Sequence, residues 1–190
     1  YPAYLIEAYI DRHIFLANLI KKEIIDLKNK RVIDIGGGWG AFPAICSSLG
    51  MESNLIEDFG DQGFSNSEHV RHSLSNDFNF KIIKKDISIK NLDLKENSID
   101  LVTTFDVIEH LHHSPKKMLD GVFKGLKKNG VLIIGVPNCV RLMKRISTFL
   151  GRGKWSDFES YYFNEIFRGH VRELDVDDLH RIAKDLNFSD

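Results

Sequence analysis

The sequence contains few cysteines, few prolines and almost no net charge. Its 190 residues include two Cys and four Pro, and 26 Lys and Arg residues are balanced by 27 Asp and Glu residues. Cys46 and Cys139 lack the spacing of metal ligands and indicate reduced thiols in a cytoplasmic protein. The charge balance removes the simplest argument for a nucleic-acid-binding protein. No apolar run approaches the ~20 residues of a membrane span, so no membrane partner is expected.

What the sequence does contain is typical of one globular domain preceded by a helix. Apolar residues make up 43% and charged residues 28% of the chain, a composition that can bury a core. From Tyr4 to Leu27 the apolar residues recur at helical spacing, which predicts an amphipathic helix. We interpret residues 1–30 as a helix that covers the domain formed by residues 31–190.

From Arg31 onward, short apolar runs alternate with helical stretches. Strands are predicted at 31–35, 54–57, 80–83, 99–105 and 131–136. This alternation predicts an α/β fold, a Rossmann-like, doubly wound parallel sheet flanked by helices. One helix has clear boundaries, since Ser114 and Pro115 begin it and Asn129 with Gly130 stop it after Lys128. The aromatic-rich segment 151–170 is either a poorly ordered insertion or a lid over a site.

A glycine-rich loop, DIGGGWG at 34–40, follows the first strand and opens a helix. Glycine at 36, 38 and 40 allows the backbone to approach a ligand where any Cβ would collide. The spacing alone also satisfies the dinucleotide fingerprint of NAD or FAD enzymes. Asp34, two residues before the first glycine, would repel a pyrophosphate and suits a cationic ligand without phosphate, such as S-adenosylmethionine.

Acidic residues follow the next two strands, where open α/β sheets bind ligands. Glu57 lies about 20 residues beyond the glycines, the position of a carboxylate that holds ribose hydroxyls, and Asp58 could take its place. Asp86 follows the third strand and could accept a hydrogen bond from an adenine amino group. Ile87 then offers its backbone N–H. The joint placement of these residues with Asp34 predicts a nucleoside site.

These motifs resemble those of the class I S-adenosylmethionine-dependent methyltransferases. The resemblance covers most of the chain from Arg31 and rests on VIDIGGGWG, Glu57, KKDI, IDLVTTFDVIEHL and LKKNGVLIIGVPN. VIEHL with VPN and GHVREL is most similar to the small-molecule and glycan O-methyltransferases, of which the ubiquinone-biosynthesis enzymes are relatives. The resemblance implies that the cofactor is S-adenosylmethionine. It also implies that the cofactor site is lined by Asp34, Gly36, Gly38, Gly40, Glu57, Asp86, Ile87 and Phe105. The chain ends before the antiparallel hairpin that the family normally adds, and it has no Asn-Pro-Pro-aromatic tetrad, which disfavours methylation of nucleic-acid bases.

The segment after the fourth strand contains candidates for acting on the methyl acceptor. His110 is the predicted general base, because an imidazole titrates near neutral pH, and Glu109 could orient it or contact the acceptor. No metal is assigned in this prediction. An alternative is a divalent-metal shell formed by Asp106, Glu109, His110 and His170, similar to the metal-dependent small-RNA 2′-O-methyltransferases.

The sequence therefore predicts a cytoplasmic methyltransferase that acts on an oxygen of a small molecule, sugar or glycan precursor. An NAD-dependent oxidoreductase or epimerase shares the glycine spacing but would need a Tyr-x-x-x-Lys pair, which is absent from the sequence. A non-catalytic cofactor-binding relative is a further alternative. The acceptor and the oligomeric state do not follow from the sequence.

Overall fold

The computed structural model describes residues 3–60, 68–87, 92–152, 156 and 158–188. The first half contains, in chain order, α1 (Ala3–Glu23), β1 (Arg31–Ile35), α2 (Ala41–Ser48), β2 (Glu52–Glu57), α3 (Glu68–Phe78) and β3 (Lys81–Lys84). The second half contains β4 (Ile99–Phe105), a 3-10 turn (Ile108–His110), α4 (Lys116–Gly125), β5 (Leu126–Gly135), α5 (Leu142–Phe149), α6 (Phe158–Phe163) and α7 (Val176–Asp185).

The five described strands form one parallel sheet in the order β3-β2-β1-β4-β5. In the register, Asp34 of β1 lies between Leu55 of β2 and Thr103 of β4. The chain moves outward from β1 in one direction and then crosses back to β4 and outward again. The carboxyl ends of β1 and β4 therefore flank the crevice where such sheets bind ligands. The predicted parallel α/β fold is confirmed.

Apolar residues cover both faces of this sheet, because successive side chains of each strand point to opposite sides. On one face Ile33, Ile35 and Val102 pack with the buried residues of α4. On the other face Val32 and Leu101 pack with residues of α1 and α2, including Leu16, Ile20, Phe42 and Cys46. Burial on both faces explains why these strands are continuous apolar runs in the sequence.

The boundary between α4 and β5 differs from the prediction. The helix ends at Gly125 and the strand begins at Leu126, whereas the sequence pattern carries the helix to Lys128. Leu126 pairs with Ile99 across the sheet, and the Lys127 ammonium lies 2.7 Å from the Asp100 carboxylate. These contacts with β4 override the helical propensity of the Leu-Lys-Lys segment.

Helix α1 packs on the sheet face that contains Val32 and Leu101, so that Leu16 and Ile20 are buried while Ile10 and Ile14 are exposed. Among the described residues, no helix combines the length and the apolarity that are needed to cross a membrane. The predicted lid segment 151–170 lies partly outside the described residues, and its described helix α6 exposes Phe158, Tyr161, Tyr162 and Phe163.

Candidate functional site

The glycine loop turns sharply at the carboxyl end of β1. Gly36, Gly38 and Gly40 all have positive φ angles, of 73°, 54° and 84°. A Cβ on Gly36 would lie 2.2 Å from the Val107 Cγ2 atom in the loop after β4. The absence of a side chain thus allows the loops after β1 and β4 to meet at the crevice.

Replacing Gly36 with alanine should destabilise the domain and weaken ligand binding at this loop. The left-handed backbone and the overlap with Val107, a stiff and buried side chain, lead us to expect a loss of about 1–3 kcal/mol in the free energy of unfolding. Gly121→Ala is the matched control, because the nearest atom to its Cβ would be at an ordinary 3.5 Å and its helical backbone suits alanine. Denaturant unfolding measures both variants, and equal stabilities would contradict the assigned role of Gly36.

Asp34 lies buried beneath the glycine loop, with 1% of its surface exposed. Its Oδ1 atom accepts a hydrogen bond of 2.6 Å from the Thr103 hydroxyl, while Oδ2 has no hydrogen-bond partner among the described residues. Oδ2 lies so close to the loop that a Cβ on Gly37 would come within 1.9 Å of it. Burial raises the pKa of Asp34 to about 7, although the Thr103 hydroxyl opposes this shift. In the ligand-free protein this carboxyl is therefore only partly ionised at neutral pH.

Glu57, at the end of β2, connects its own strand to the glycine loop. One carboxylate oxygen accepts a hydrogen bond of 3.0 Å from the Gly38 amide, and the other accepts bonds from the amides of Asp58 and Phe59. Burial raises the pKa of Glu57 in spite of these amides. A carboxylate offers about four lone-pair positions, so one remains for a ligand hydroxyl.

Asp58 makes different contacts. It accepts a hydrogen bond from the Gly60 amide and forms an ion pair of 3.1 Å with Arg168, a residue 110 positions further along the chain. Burial opposes ionisation of Asp58, but the amide and Arg168 outweigh it and lower its pKa. Of the two acids that the sequence left open for a ribose, Glu57 is the one that contacts the glycine loop.

The remaining predicted cofactor residues lie on either side of Asp34 and Glu57. Asp86 and Ile87 are half-buried just after β3, and Ile87 packs against the core. Phe105, at the end of β4, packs edge-on against Phe42, with 5.4 Å between the ring centroids. The structure therefore brings residues from the ends of β1, β2, β3 and β4 to the same edge of the sheet.

Arg12 of α1 is a site residue that the sequence analysis missed. Its guanidinium forms an ion pair of 2.5 Å with Asp106 and lies over the Phe105 ring, 5.2 Å from the centroid. Asp106 itself has a left-handed backbone (φ 54°), an uncommon conformation for a residue other than glycine. The two charges are 94 residues apart. No local sequence signal points to their pairing.

On the other side of the crevice, the 3-10 turn after β4 presents Glu109 and His110. Glu109 is completely buried, yet neither carboxylate oxygen has a hydrogen-bond partner within the described part of the chain. Burial raises the pKa of this carboxyl. The Nδ1 atom of His110 lies 2.7 Å from the Arg168 carbonyl oxygen. Because a carbonyl only accepts, Nδ1 carries a hydrogen, and in the neutral form of the ring Nε2 carries the lone pair.

The segment 167–172 is bound to this turn along its length. The backbone carbonyl of Glu109 accepts hydrogen bonds from the amides of Val171 and Arg172, at 2.6 and 3.3 Å. The His170 ring lies edge-on to the His110 ring, with 4.8 Å between centroids. The GHVREL motif and the VIEHL motif, about 60 residues apart, thus form one cluster.

Two further members of this cluster were not predicted. Glu173 is buried, and one of its oxygens lies 2.7 Å from His170 Nδ1. Its other oxygen is paired with the ammonium of Lys144 on α5. The motif GHVREL contains Glu173, so that the spacing of an imidazole and a carboxylate three residues apart was the available signal.

A family described as Methyltransferase domain matches residues 2–190. The chain belongs to this family. An uncharacterized protein of Methanocaldococcus jannaschii is 32% identical to this methyltransferase domain over 129 residues, which cover 67% of the domain's chain and 49% of that protein. The chain therefore spans about half the length of this curated relative.

Solved structures of methyltransferases share the fold of this domain. A S-adenosylmethionine-dependent methyltransferase from Archaeoglobus fulgidus has a TM-score of 0.63 at 20% identity, covering 99% of this chain and 75% of its own. A Haemonchus contortus phosphoethanolamine N-methyltransferase was solved in complex with phosphomonomethylethanolamine and S-adenosylhomocysteine. It has a TM-score of 0.62 at 17% identity, and the match covers 95% of this chain and 37% of that enzyme. The predicted methyltransferase family is confirmed by the family match, and the predicted fold is confirmed as that of solved S-adenosylmethionine-dependent methyltransferases. The ubiquinone-type subfamily is not specifically supported.

Proposed function

We propose that this methyltransferase domain binds S-adenosylmethionine at the glycine loop and transfers its methyl group to an oxygen of a small molecule, such as a sugar or glycan precursor. The observation that carries the proposal is the arrangement at the crevice. Glu57 and the glycine loop lie at the ends of β2 and β1, and the Glu109–His110 pair follows the adjacent strand β4. A cofactor site and a group able to activate an acceptor thus flank the same crevice.

The proposed cofactor contacts follow from the chemistry of each residue. The free lone pair of Glu57 would accept a hydrogen bond from a ribose hydroxyl, while Gly36, Gly38 and Gly40 let the methionine part lie on the backbone. Asp34 would act on the cofactor's ammonium group from beneath the loop. Asp86 and the Ile87 amide would bind the adenine, with Phe105 as an apolar wall.

An oxygen acceptor is favoured by the lone pair on His110. A hydroxyl must lose its proton to become a strong nucleophile, whereas a neutral amine already has a free electron pair. When bound, S-adenosylmethionine would supply the methyl group, whose carbon would bond to the acceptor oxygen as its bond to sulfur breaks, with S-adenosylhomocysteine as the neutral leaving group. We assign activation of the hydroxyl to Glu109 and to the Nε2 lone pair of His110.

Calorimetric titration of the full chain with S-adenosylhomocysteine tests the cofactor assignment. We expect one binding site, and we expect Glu57→Ala to weaken the affinity about 10–100-fold, since a hydrogen bond to a charged group contributes about 1.5–3 kcal/mol. Glu52→Ala is the matched control, because Glu52 lies at the opposite end of β2 and pairs with Arg31 on the surface. Binding of NAD in place of S-adenosylhomocysteine would falsify the proposal and favour an oxidoreductase.

A further inference from the structure

Glu109, His110 and His170 form a cluster in which three potential metal ligands face one another. One ligand atom from each residue lies within 4.8 Å of the others. Ligand atoms around a tetrahedral zinc ion are about 3.4 Å apart, so modest side-chain rotation would close the set around an ion. We propose that these three residues bind a divalent transition-metal ion, with zinc as the best match to a set of two imidazoles and one carboxylate.

The hydrogen bonds of the two imidazoles prepare them as ligands. In each ring Nδ1 faces an acceptor, the Arg168 carbonyl for His110 and the Glu173 carboxylate for His170, both at 2.7 Å. Each Nδ1 therefore carries a hydrogen, and in the neutral form of each ring Nε2 has the lone pair that a metal ion would bind. Metal-binding histidines characteristically donate their second ring N–H to a carbonyl or carboxylate in this way. The same pattern occurs here on two rings at once.

The carboxylate of Glu109 is a second observation that favours a bound cation. Its side chain is completely buried, and a buried carboxylate without a hydrogen-bond partner is costly. A cation bound beside it would offset this cost. Two backbone hydrogen bonds to the Glu109 carbonyl also hold the His170 segment in place, so the cluster is built into the fold.

Glu173 and Lys144 form the outer part of this site. Glu173 is buried and contacts His170 with one oxygen and the Lys144 ammonium with the other. It is therefore fixed in the orientation in which it holds the His170 ring. Asp106, by contrast, is paired with Arg12, so that the four-residue shell considered from the sequence reduces to three residues. Three protein ligands leave coordination positions open for an acceptor oxygen.

This inference rests on the proposed function and deepens it. A hydroxyl bound to the ion would have a lowered pKa and would release its proton to solvent as the oxygen–methyl bond forms. In that case the Nε2 lone pair of His110 binds the ion and does not itself take the proton, so that His170 becomes as necessary as His110. Activation by the imidazole alone would need only His110.

Metal titration of the full chain, after treatment with a chelator and dialysis, tests the site. We expect calorimetry to show one Zn²⁺ bound per chain, and Mg²⁺, which prefers oxygen ligands, to bind far more weakly. Glu109→Gln and His170→Asn should each weaken Zn²⁺ binding, and Glu173→Gln should weaken it by the ~10–100-fold typical of an outer-shell partner. The visible absorption spectrum of bound Co²⁺ depends on its ligands and should indicate imidazole coordination. Both ligand variants should change this spectrum.

His113→Asn is the matched control, because His113 is exposed three residues after the turn and lies outside the cluster. It should retain full metal affinity. Binding of S-adenosylhomocysteine by each variant serves as the test of correct folding. Zn²⁺ binding that survives both Glu109→Gln and His170→Asn, or its absence in the wild-type chain, would overturn the metal site. A wild-type chain that binds S-adenosylhomocysteine but no Zn²⁺ would overturn the metal site and leave the proposed function standing. A wild-type chain that binds Zn²⁺ but no S-adenosylhomocysteine would overturn the proposed function and leave the metal site standing.

Discussion

Replacing His110 with alanine should lower the rate of methyl transfer by about 10²–10⁴-fold, the usual contribution of a group that handles a proton. The physical reason is the lone pair on Nε2, which the Arg168 carbonyl fixes in place by holding the hydrogen on Nδ1. Without it, the acceptor hydroxyl stays protonated in the crevice. The rate is measured with isotopically labelled S-adenosylmethionine and the best acceptor found by screening hydroxyl compounds against the wild-type chain.

The affinity for S-adenosylhomocysteine separates this effect from a general loss of structure. His110 lies beyond β4, whereas Glu57 and the glycine loop lie at β2 and β1, so we expect cofactor affinity to be unchanged in His110→Ala. His113→Ala is the control for removal of a nearby imidazole, three residues further along the chain, and should keep its activity. Near-normal turnover in His110→Ala would end the assigned role.

Compared with the wild type at the same pH, the ligand-free Asp34→Asn variant should be more stable at pH 8 than it is at pH 5. It should also bind the cofactor more weakly. The pKa of Asp34 is raised to about 7 by burial, from an ordinary value of 3.8. The folded state therefore binds more protons than the unfolded state between these values, and wild-type stability falls as the pH rises through this window. Asparagine has no such titration and can still accept the hydrogen bond from Thr103.

The size of this effect follows from the width of the window. Two pKa units, from pH 5 to about pH 7, correspond to about 2–3 kcal/mol, so the difference between variant and wild type should shift by that amount in favour of the variant. Denaturant unfolding at pH 5 and pH 8 measures it. Asp100→Asn is a control of opposite sign, because Lys127 and the Arg31 amide overcome the effect of burial and lower the pKa of Asp100. That variant should lose stability at both pH values.

Cofactor binding to Asp34→Asn should respond in the opposite direction. The ammonium of S-adenosylmethionine favours an ionised Asp34, so the wild-type affinity should increase as the pH rises through about 7. The variant has no carboxylate and should bind more weakly above pH 7. Equal affinities of variant and wild type at pH 8 would show that Asp34 does not act on the cofactor. Greater stability with weaker binding is the pattern expected of a residue kept for function.

Local patterns in the sequence were sufficient to predict the layout of the domain. Buried parallel strands require continuous apolar runs, and a strand-to-helix turn that approaches a ligand requires glycine, so β1 and the loop at 36–40 could be predicted without contacts. The same logic placed Glu57 and Asp86 after strands, at the ligand-binding edge of the sheet. The helix cap at Asp175 follows the same kind of local rule, since its side chain accepts a hydrogen bond from the Asp178 amide.

The details of the site depend on residues that only the fold brings together. Arg12 meets Asp106, Arg168 meets Asp58, and Leu126 joins the sheet through Ile99. Each of these contacts spans tens of residues, and no local pattern encodes such pairs. The sheet, the glycine loop and the types of residue at the sheet edge could be predicted from local sequence, because they follow from backbone geometry and hydrophobic periodicity. The burial of Asp34 away from water and the contact of His110 and His170 with a buried Glu109 could not, because burial and proximity depend on how distant segments pack.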